Sequence, residues 1–131
     1  LGYTKIAFSY GASYYNDIFP HRNKDVGKVL GRQLVISKMI NMGLIGTTDR
    51  IHLLGCSLPQ EFLYYKDVKQ IESIDTSNPV MAAFDGTLYN EWGLDIKPKT
   101  KIDEVMNLEY NSEVYDKIEY NTTQFKRINA L

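Results

Sequence analysis

Short runs of apolar residues recur along the first two-thirds of the chain, and each ends at a small or polar group. The runs cover residues 5–10, 51–54 and 71–74. Their length and their turn-forming boundaries are typical of buried β-strands. The first run ends at Gly11, the second at Gly55-Cys56-Ser57 and the third at Asp75. We therefore expect three strands whose carboxyl ends carry groups suited to binding or chemistry.

Helical patterns separate the three predicted strands. Apolar residues fall mostly on one stripe over residues 25–42, and Gly43 can close that helix. Residues 59–69 also have helical composition, with Ser57 as a candidate N-cap and Gln60 completing a capping box. Right-handed crossovers would make the strands parallel and bring their carboxyl ends to one edge of the sheet. The pattern predicts an α/β fold of parallel β-α repeats, with residues 14–24 as a loop.

After Asp75 the pattern changes from alternating elements to helix and surface chain. Residues 80–84 predict a short helix, and the alternating lysines of residues 97–101 mark a surface segment. Residues 103–131 have helical periodicity, with an interruption near residues 111–112 and a second cap near Thr122. We expect this C-terminal helical segment to cover the sheet.

Composition places the chain among ordinary globular proteins. With 131 residues, 44% hydrophobic residues and a net charge of −1, it can build one core, and we expect a single domain over residues 1–131. No apolar run approaches the ~20 residues that span a bilayer, and the N-terminus lacks a signal-peptide pattern. We therefore expect a cytoplasmic protein without a membrane partner. The chain does not begin with Met, so we expect it to be processed or cut from a longer protein.

The single cysteine limits the chemistry available to the chain. Cys56 has no second cysteine for an internal disulfide or a multi-thiolate zinc site, so we expect no metal and no other cofactor. A sequence pI of about 6.1 also gives no overall electrostatic attraction to nucleic acid.

The predicted topology nominates a site before any chemistry is considered. Ligands of parallel α/β sheets bind beyond the carboxyl ends of the strands. The residues expected at this edge are Gly55, Cys56, Asp75, Thr76 and Asn78.

Each of the more reactive candidates also has a purely structural interpretation. Asp75 opens a good turn sequence and could serve as a turn cap. Cys56 has no adjacent base in the sequence, which favours a small buried hydrophobe over a nucleophile. His52 lies inside an apolar strand, which favours a hydrogen-bonded core histidine.

The order and spacing of several motifs carry a family resemblance. The motifs are HLLGCSLPQE at residues 52–61, Ile74-Asp75, Pro79, Asp85-Gly86, and the strand AFSYG at residues 7–11. In this order they resemble the tRNA-guanine transglycosylase superfamily, which includes queuine and archaeosine tRNA-ribosyltransferases and phage-type DNA-modifying relatives. Its members are (β/α)8 barrels. The resemblance covers about residues 5–95 and implies the last three strands of such a barrel, followed by a helical segment over about residues 96–131.

The resemblance implies a base-exchange reaction on a nucleoside of tRNA or DNA. The family's nucleophile is the Asp that ends the last strand, and Asp75 matches it. A carboxylate suits this role because it attacks the anomeric carbon and later leaves, which splits one difficult displacement into two. The family's base pocket is lined by the Gly-rich strand end that Ser9 and Gly11 match. The resemblance thus implies Asp75 as the catalytic residue, with a set of substrate-binding residues, namely Ser9, Gly11, Gly55, Cys56, Ser57 and Asn78.

The chain also departs from the family pattern. Basic residues that contact RNA phosphates in the family are replaced by apolar residues at positions 80–83, and the earlier strands that supply the general acid/base are not in this sequence. The chain alone would be catalytically incomplete, so we expect it to associate with itself or with the rest of a larger chain. Two alternatives stay open: a non-catalytic fragment or assembly module of a barrel protein, and an unrelated barrel enzyme for a small phosphorylated ligand.

Overall fold

The computed structural model describes residues 2–131, which form a parallel sheet and a set of helices. The strands are β1 (Lys5–Ser9), β2 (Arg50–Leu54) and β3 (Ile71–Asp75). The α-helices are α1 (Tyr14–Ile18), α2 (Lys24–Asn41), α3 (Asn78–Phe84), α4 (Ile102–Val105) and α5 (Ser112–Ile128). A 3₁₀-helix at Pro59–Tyr65 connects β2 to β3.

The three strands form an open sheet in the order β1-β2-β3, and both pairs are parallel. Ile6 pairs with Ile51, and Ile51 pairs with Ile71. The register between β2 and β3 then shifts after Ile51, so that Leu54 lies opposite Asp75. The predicted α/β class and the three adjacent parallel strands are confirmed, with all three carboxyl ends at one edge.

The two faces of this sheet differ sharply in burial. On one face Phe8, Ile51 and Leu53 are buried in a core shared with α2 and the 3₁₀-helix. The other face, which we call the bare face, carries alternate strand residues that are exposed or half-buried: Lys5, Ala7, Ser9, Arg50, His52, Leu54, Ser73 and Asp75. The prediction of a fully buried strand at residues 5–10 was therefore wrong, because successive side chains of a strand point to opposite faces and only one is covered.

The connection between β2 and β3 is tighter than predicted. Residues 59–69 were expected to form a helix capped by Ser57, but the segment is a 3₁₀-helix whose N-cap is Leu58. The hydroxyl of Ser57 is buried and makes no hydrogen bond within residues 2–131. Its carbonyl instead accepts from the Asn78 side chain, at 3.2 Å. Ser57 therefore lies in the packing between the connection and α3, one residue before the N-cap position.

The remaining helices agree with the sequence in position and differ in detail. Residues 14–24 were predicted as a loop, but they contain α1, whose Tyr15 is almost fully buried. A new helix does begin at Ser112, where the Asn111 side chain caps α5 by accepting from Val114 N–H. The helix predicted before that break was wrong for residues 106–111, because α4 ends at Val105. The second cap at Thr122 was wrong, because α5 continues through it.

The C-terminal helix was predicted to cover the sheet, but it packs against other helices. α5 packs against α3 and the 3₁₀-helix, with the rings of Phe125 and Phe62 5.6 Å apart. Buried Asn121 joins it to the chain before it, by accepting from Tyr89 N–H and donating to the carbonyls of Pro79 and Thr87. The bare face of the sheet is therefore left uncovered by α5. Within residues 2–131, the helices are all too short or too polar to cross a bilayer.

Candidate functional site

The carboxylate of Asp75 stands at the carboxyl end of β3, on the bare face. Its Oδ1 accepts from the Gly55 N–H at 2.9 Å, and its Oδ2 lies 3.2 Å from His52 Nε2. The side chain is still 60% exposed. The Gly55 N–H and the His52 hydrogen bond hold the pKa of Asp75 below its usual value. Asp75 is thus an ionised, oriented carboxylate that solvent or a ligand can reach.

His52 is oriented from both sides of its ring. Nδ1 lies 2.7 Å from the hydroxyl of Ser73, and Nε2 faces Asp75. An ionised carboxylate only accepts hydrogen bonds, so Nε2 carries a proton, and in the neutral ring Nδ1 accepts from Ser73. His52 is hydrogen-bonded as predicted, but its side chain is 33% exposed on the bare face and does not belong to the core.

Replacing His52 by Ala removes the Nε2 donor and should raise the pKa of Asp75 part of the way toward its ordinary value, because the Gly55 N–H remains as the larger stabiliser of the charge. A lowered folded-state pKa stabilises the fold above the ordinary carboxyl range, and this contribution is lost as the pH falls through that folded-state pKa. The variant should therefore lose less stability on acidification. Carboxyl ¹³C titration by NMR measures the pKa directly, with His21→Ala as the control, and an unchanged Asp75 titration in His52→Ala would show that His52 has no such role.

Gly55 fits a position that other residues would not. Its φ is +66°, in the left-handed region, and an added Cβ would lie 2.5 Å from the ring of Tyr10. Its N–H donates to both the backbone oxygen and Oδ1 of Asp75, each at 2.9 Å. Gly11 has no comparable constraint, because its φ is not positive and an added Cβ would meet only the Ser9 hydroxyl, at 4.0 Å.

A buried arginine holds the strand ends beneath the site. Arg32 is fully buried and donates to the carbonyls of Phe8 at 2.9 Å, Leu54 at 3.2 Å and Gly55 at 2.9 Å. Its guanidinium also binds Glu61, with Nε and Nη2 each 2.7 Å from Oε2. Arg32 therefore fixes the carboxyl ends of β1 and β2, including the residue that orients Asp75.

The counter-ion of Arg32 is part of the same buried network. Burial raises the pKa of Glu61, while Arg32 and the Tyr65 hydroxyl, which donates to Oε2 at 2.9 Å, act in the opposite direction. Sequence reasoning missed this network. One signal was present, because Arg32 follows Val29 by three residues and precedes Ile36 by four, which places it on the buried face of α2.

A cleft of about 500 Å³ opens beside this edge of the sheet. Gly55, Cys56 and Asn78, three of the predicted substrate-binding residues, line it together with Thr76 and a segment around Lys99. The cleft wall does not include Asp75, Ser9, Gly11 or Ser57. Asp75 lies next to the cleft through its neighbour Thr76, with its carboxylate turned toward the bare face.

The predicted binding residues differ in what their side chains can offer. Burial raises the pKa of the Cys56 thiol to about 12, and Sγ lies 3.3 Å from the Thr76 hydroxyl, so at neutral pH Cys56 is a thiol and no nucleophile. The amide of Asn78 is used internally, by Ser57 O and by the Tyr89 hydroxyl. These two residues shape the cleft wall.

Ser9 and Gly11 lie at the exposed end of β1. The Ser9 hydroxyl accepts from the Gly11 N–H at 3.4 Å, and both residues are exposed. Ser9 shares the bare face with Asp75, so the structure separates the predicted residues into a cleft group and a bare-face group. Both groups remain predictions as ligand contacts.

The arrangement can support nucleophilic chemistry by a carboxylate. Asp75 is ionised and exposed, and its two anchors leave lone pairs on the carboxylate free for an electrophile. Among residues 2–131 there is no cluster of three or more His, Cys, Asp or Glu side chains that could hold a metal ion. The chain matches no protein-family model, no curated protein and no solved structure.

Proposed function

We propose that this chain carries the nucleophile of a base-exchanging transglycosylase that acts on a nucleoside in tRNA or DNA. The observation that carries the proposal is the placement of Asp75: an exposed, ionised carboxylate at the carboxyl end of a parallel strand, oriented by Gly55 N–H and His52 Nε2. A carboxylate serving only as a turn cap would not need an imidazole aligned on its second oxygen. The motif spacing around residues 52–86 supports the same assignment.

The chemistry follows from the properties of a carboxylate. Asp75 forms a bond to the anomeric carbon of the ribose, and the glycosidic C–N bond breaks with its electron pair leaving on the base. A second base then attacks the same carbon, and the Asp75 carboxylate departs. Positive charge develops on the sugar in both steps, as in glycoside hydrolysis, and an ionised carboxylate stabilises it.

The bare face of the sheet supports an incomplete barrel. Parallel sheets in proteins are covered on both faces, whereas here helices cover only one. Closing the sheet into a (β/α)8 barrel would put the bare face inside and remove both open edges. Ser9, His52 and Asp75 would then project into the barrel interior. The same bare face is compatible with the alternative that the chain is a non-catalytic assembly module, since both require a covering partner.

We accordingly propose that the chain associates with a second copy of itself or with the remainder of a larger protein. Sedimentation over a range of concentrations should show species larger than the monomer, because an uncovered parallel sheet favours association. A folded monomer at high concentration, from an open reading frame no longer than this chain, would contradict the proposal.

Covalent trapping distinguishes the transglycosylase proposal from the alternative of a non-catalytic assembly module. The complete protein is incubated with end-labelled nucleic acid and resolved on a denaturing gel. The transglycosylase proposal predicts a labelled protein band that disappears in Asp75→Asn. A nucleic-acid complex that never survives denaturation would favour the assembly module.

A further inference from the structure

Residues 97–101 (KPKTK), which we call the lysine strap, form one side of the cleft. All five residues line it, across from Gly55, Cys56 and Asn78 at the carboxyl ends of the strands. In the sequence this segment was only a stretch of surface lysines. The fold brings it against the edge of the sheet that carries Asp75.

Three carboxylates hold the backbone of the lysine strap. Asp25 Oδ2 accepts from Lys97 N–H at 2.9 Å, and Glu104 Oε2 accepts from Lys101 N–H at 3.2 Å. Asp85 accepts from Lys99 N–H at 2.6 Å, from Thr100 N–H at 2.9 Å and from the Thr100 hydroxyl. The three carboxylates are occupied by donors of the strap, so they fix its path without pairing with the lysine side chains.

The three lysines of the strap are free to meet an anion. Lys97, Lys99 and Lys101 are exposed, and within residues 2–131 none of them forms a salt bridge. Their alternation places three positive charges over five residues at the rim of the cleft. The carboxylates of Asp25, Asp85 and Glu104 lie along the backbone of the strap, so the cationic surface is confined to the exposed lysine side chains at the cleft rim.

The ring of Tyr10 lies beside the lysine strap. Tyr10 lines the cleft, and the Nζ of Lys97 lies 5.6 Å from the centroid of its ring. Lysines that follow a phosphate backbone, combined with an aromatic ring on which a base can stack, are the combination that binds single-stranded nucleic acid. A cleft of about 500 Å³ has the size of a small-ligand site, which suits a single base better than a stacked duplex.

We propose that the lysine strap binds the backbone phosphates of a single-stranded segment of the substrate, with Tyr10 beside the base in the cleft. This deepens the proposed function and rests on it for the identity of the polymer.

The test is the salt dependence of binding to a fluorescein-labelled oligothymidine of about 12 nucleotides, a length within the range of single-strand sites. Anisotropy titrations between about 50 and about 200 mM salt give the slope of log K against log salt. Each phosphate contact on a single strand contributes about −0.7 to that slope, so Lys97→Gln/Lys99→Gln/Lys101→Gln should make it shallower by about 2. Affinity at the lower salt concentration should fall about tenfold or more.

A matched variant removes the same charge elsewhere. Lys38, Lys69 and Lys126 are exposed and do not line the cleft, so Lys38→Gln/Lys69→Gln/Lys126→Gln should keep the wild-type slope. Equal weakening by the two triple variants, or no weakening by either, would overturn the proposal. Equal affinity for a duplex of the same sequence would overturn the single-strand assignment, and equally tight, strap-dependent binding of polyglutamate would replace nucleic acid by an acidic protein.

Binding and catalysis are separated by one further variant. Asp75→Asn leaves the lysine strap intact and should bind the oligothymidine at least as tightly as the wild type, since it removes a negative charge near the cleft. In the complete protein with its nucleic-acid substrate, strap-dependent binding without a covalent adduct would support the strap and refute the transglycosylase. A covalent adduct whose formation is insensitive to the strap variant would refute the strap alone.

Discussion

Asp75→Asn is expected to abolish base exchange in the complete protein while leaving the fold intact. The amide has nearly the shape of the carboxylate but cannot act as the nucleophile, so exchange of a labelled base should fall by several orders of magnitude. The side chain is 60% exposed, and Asn can still accept from the Gly55 N–H. The free energy of unfolding should therefore change by about 1 kcal/mol or less.

Glu72→Gln provides the control for this prediction. Glu72 is an exposed carboxylate of the same strand, paired with exposed Lys5 at 3.5 Å, and the same chemical change there should alter neither exchange nor stability measurably. If Asp75→Asn retains most of the exchange activity, Asp75 is a turn cap and the nucleophile lies elsewhere.

Arg32→Met is expected to destabilise the fold by about 3–5 kcal/mol, the usual cost of removing one partner of a buried ion pair. Glu61 would be left buried without its counter-ion, and the carbonyls of Phe8, Leu54 and Gly55 would lose their donors. Urea unfolding followed by circular dichroism measures the loss. Where the variant still folds, the Asp75 pKa should move toward its ordinary value. Arg32 no longer donates to the Gly55 carbonyl, so the Gly55 N–H is less firmly oriented toward the Asp75 carboxylate.

Two companion variants identify the cause of that loss. Arg32→Met/Glu61→Gln should recover part of the stability, since the second change removes the uncompensated charge. Arg22→Met, at an exposed loop position, should change the free energy of unfolding by less than about 0.5 kcal/mol. A loss of only about 1 kcal/mol in Arg32→Met would mean that the network does not hold the strand ends.

The sequence predicts the strands and the long helix well because local patterns determine them. The runs that precede Gly55 and Asp75 correspond to β2 and β3. The helix predicted at residues 25–42 corresponds to α2 at Lys24–Asn41. The common edge of the strand ends follows from the handedness of the crossovers. The position of Asp75 beside Gly55 could therefore be predicted from the sequence.

Contacts that depend on strand register or on distant segments could not be predicted from the sequence. Because the pairing shifts by one residue after Ile51, Ser73 rather than Glu72 lies opposite His52. This puts His52, Ser73 and Asp75 on one face, since a slip of one residue exchanges the faces of a strand. The sequence also gives no local pattern for contacts between distant segments. The ion pair of Arg32 with Glu61 and the position of the lysine strap beside the cleft are two such contacts.

The central claim is that Asp75 bonds covalently to the sugar, and peptide mapping by mass spectrometry tests it most directly. The complete protein is mixed with its nucleic-acid substrate, quenched with acid and digested with nuclease and protease. We predict a peptide containing Asp75 that carries the mass of a ribosyl or deoxyribosyl remnant and fragments at that residue. An adduct on any other residue, or exchange in full without an adduct on Asp75, would contradict the claim.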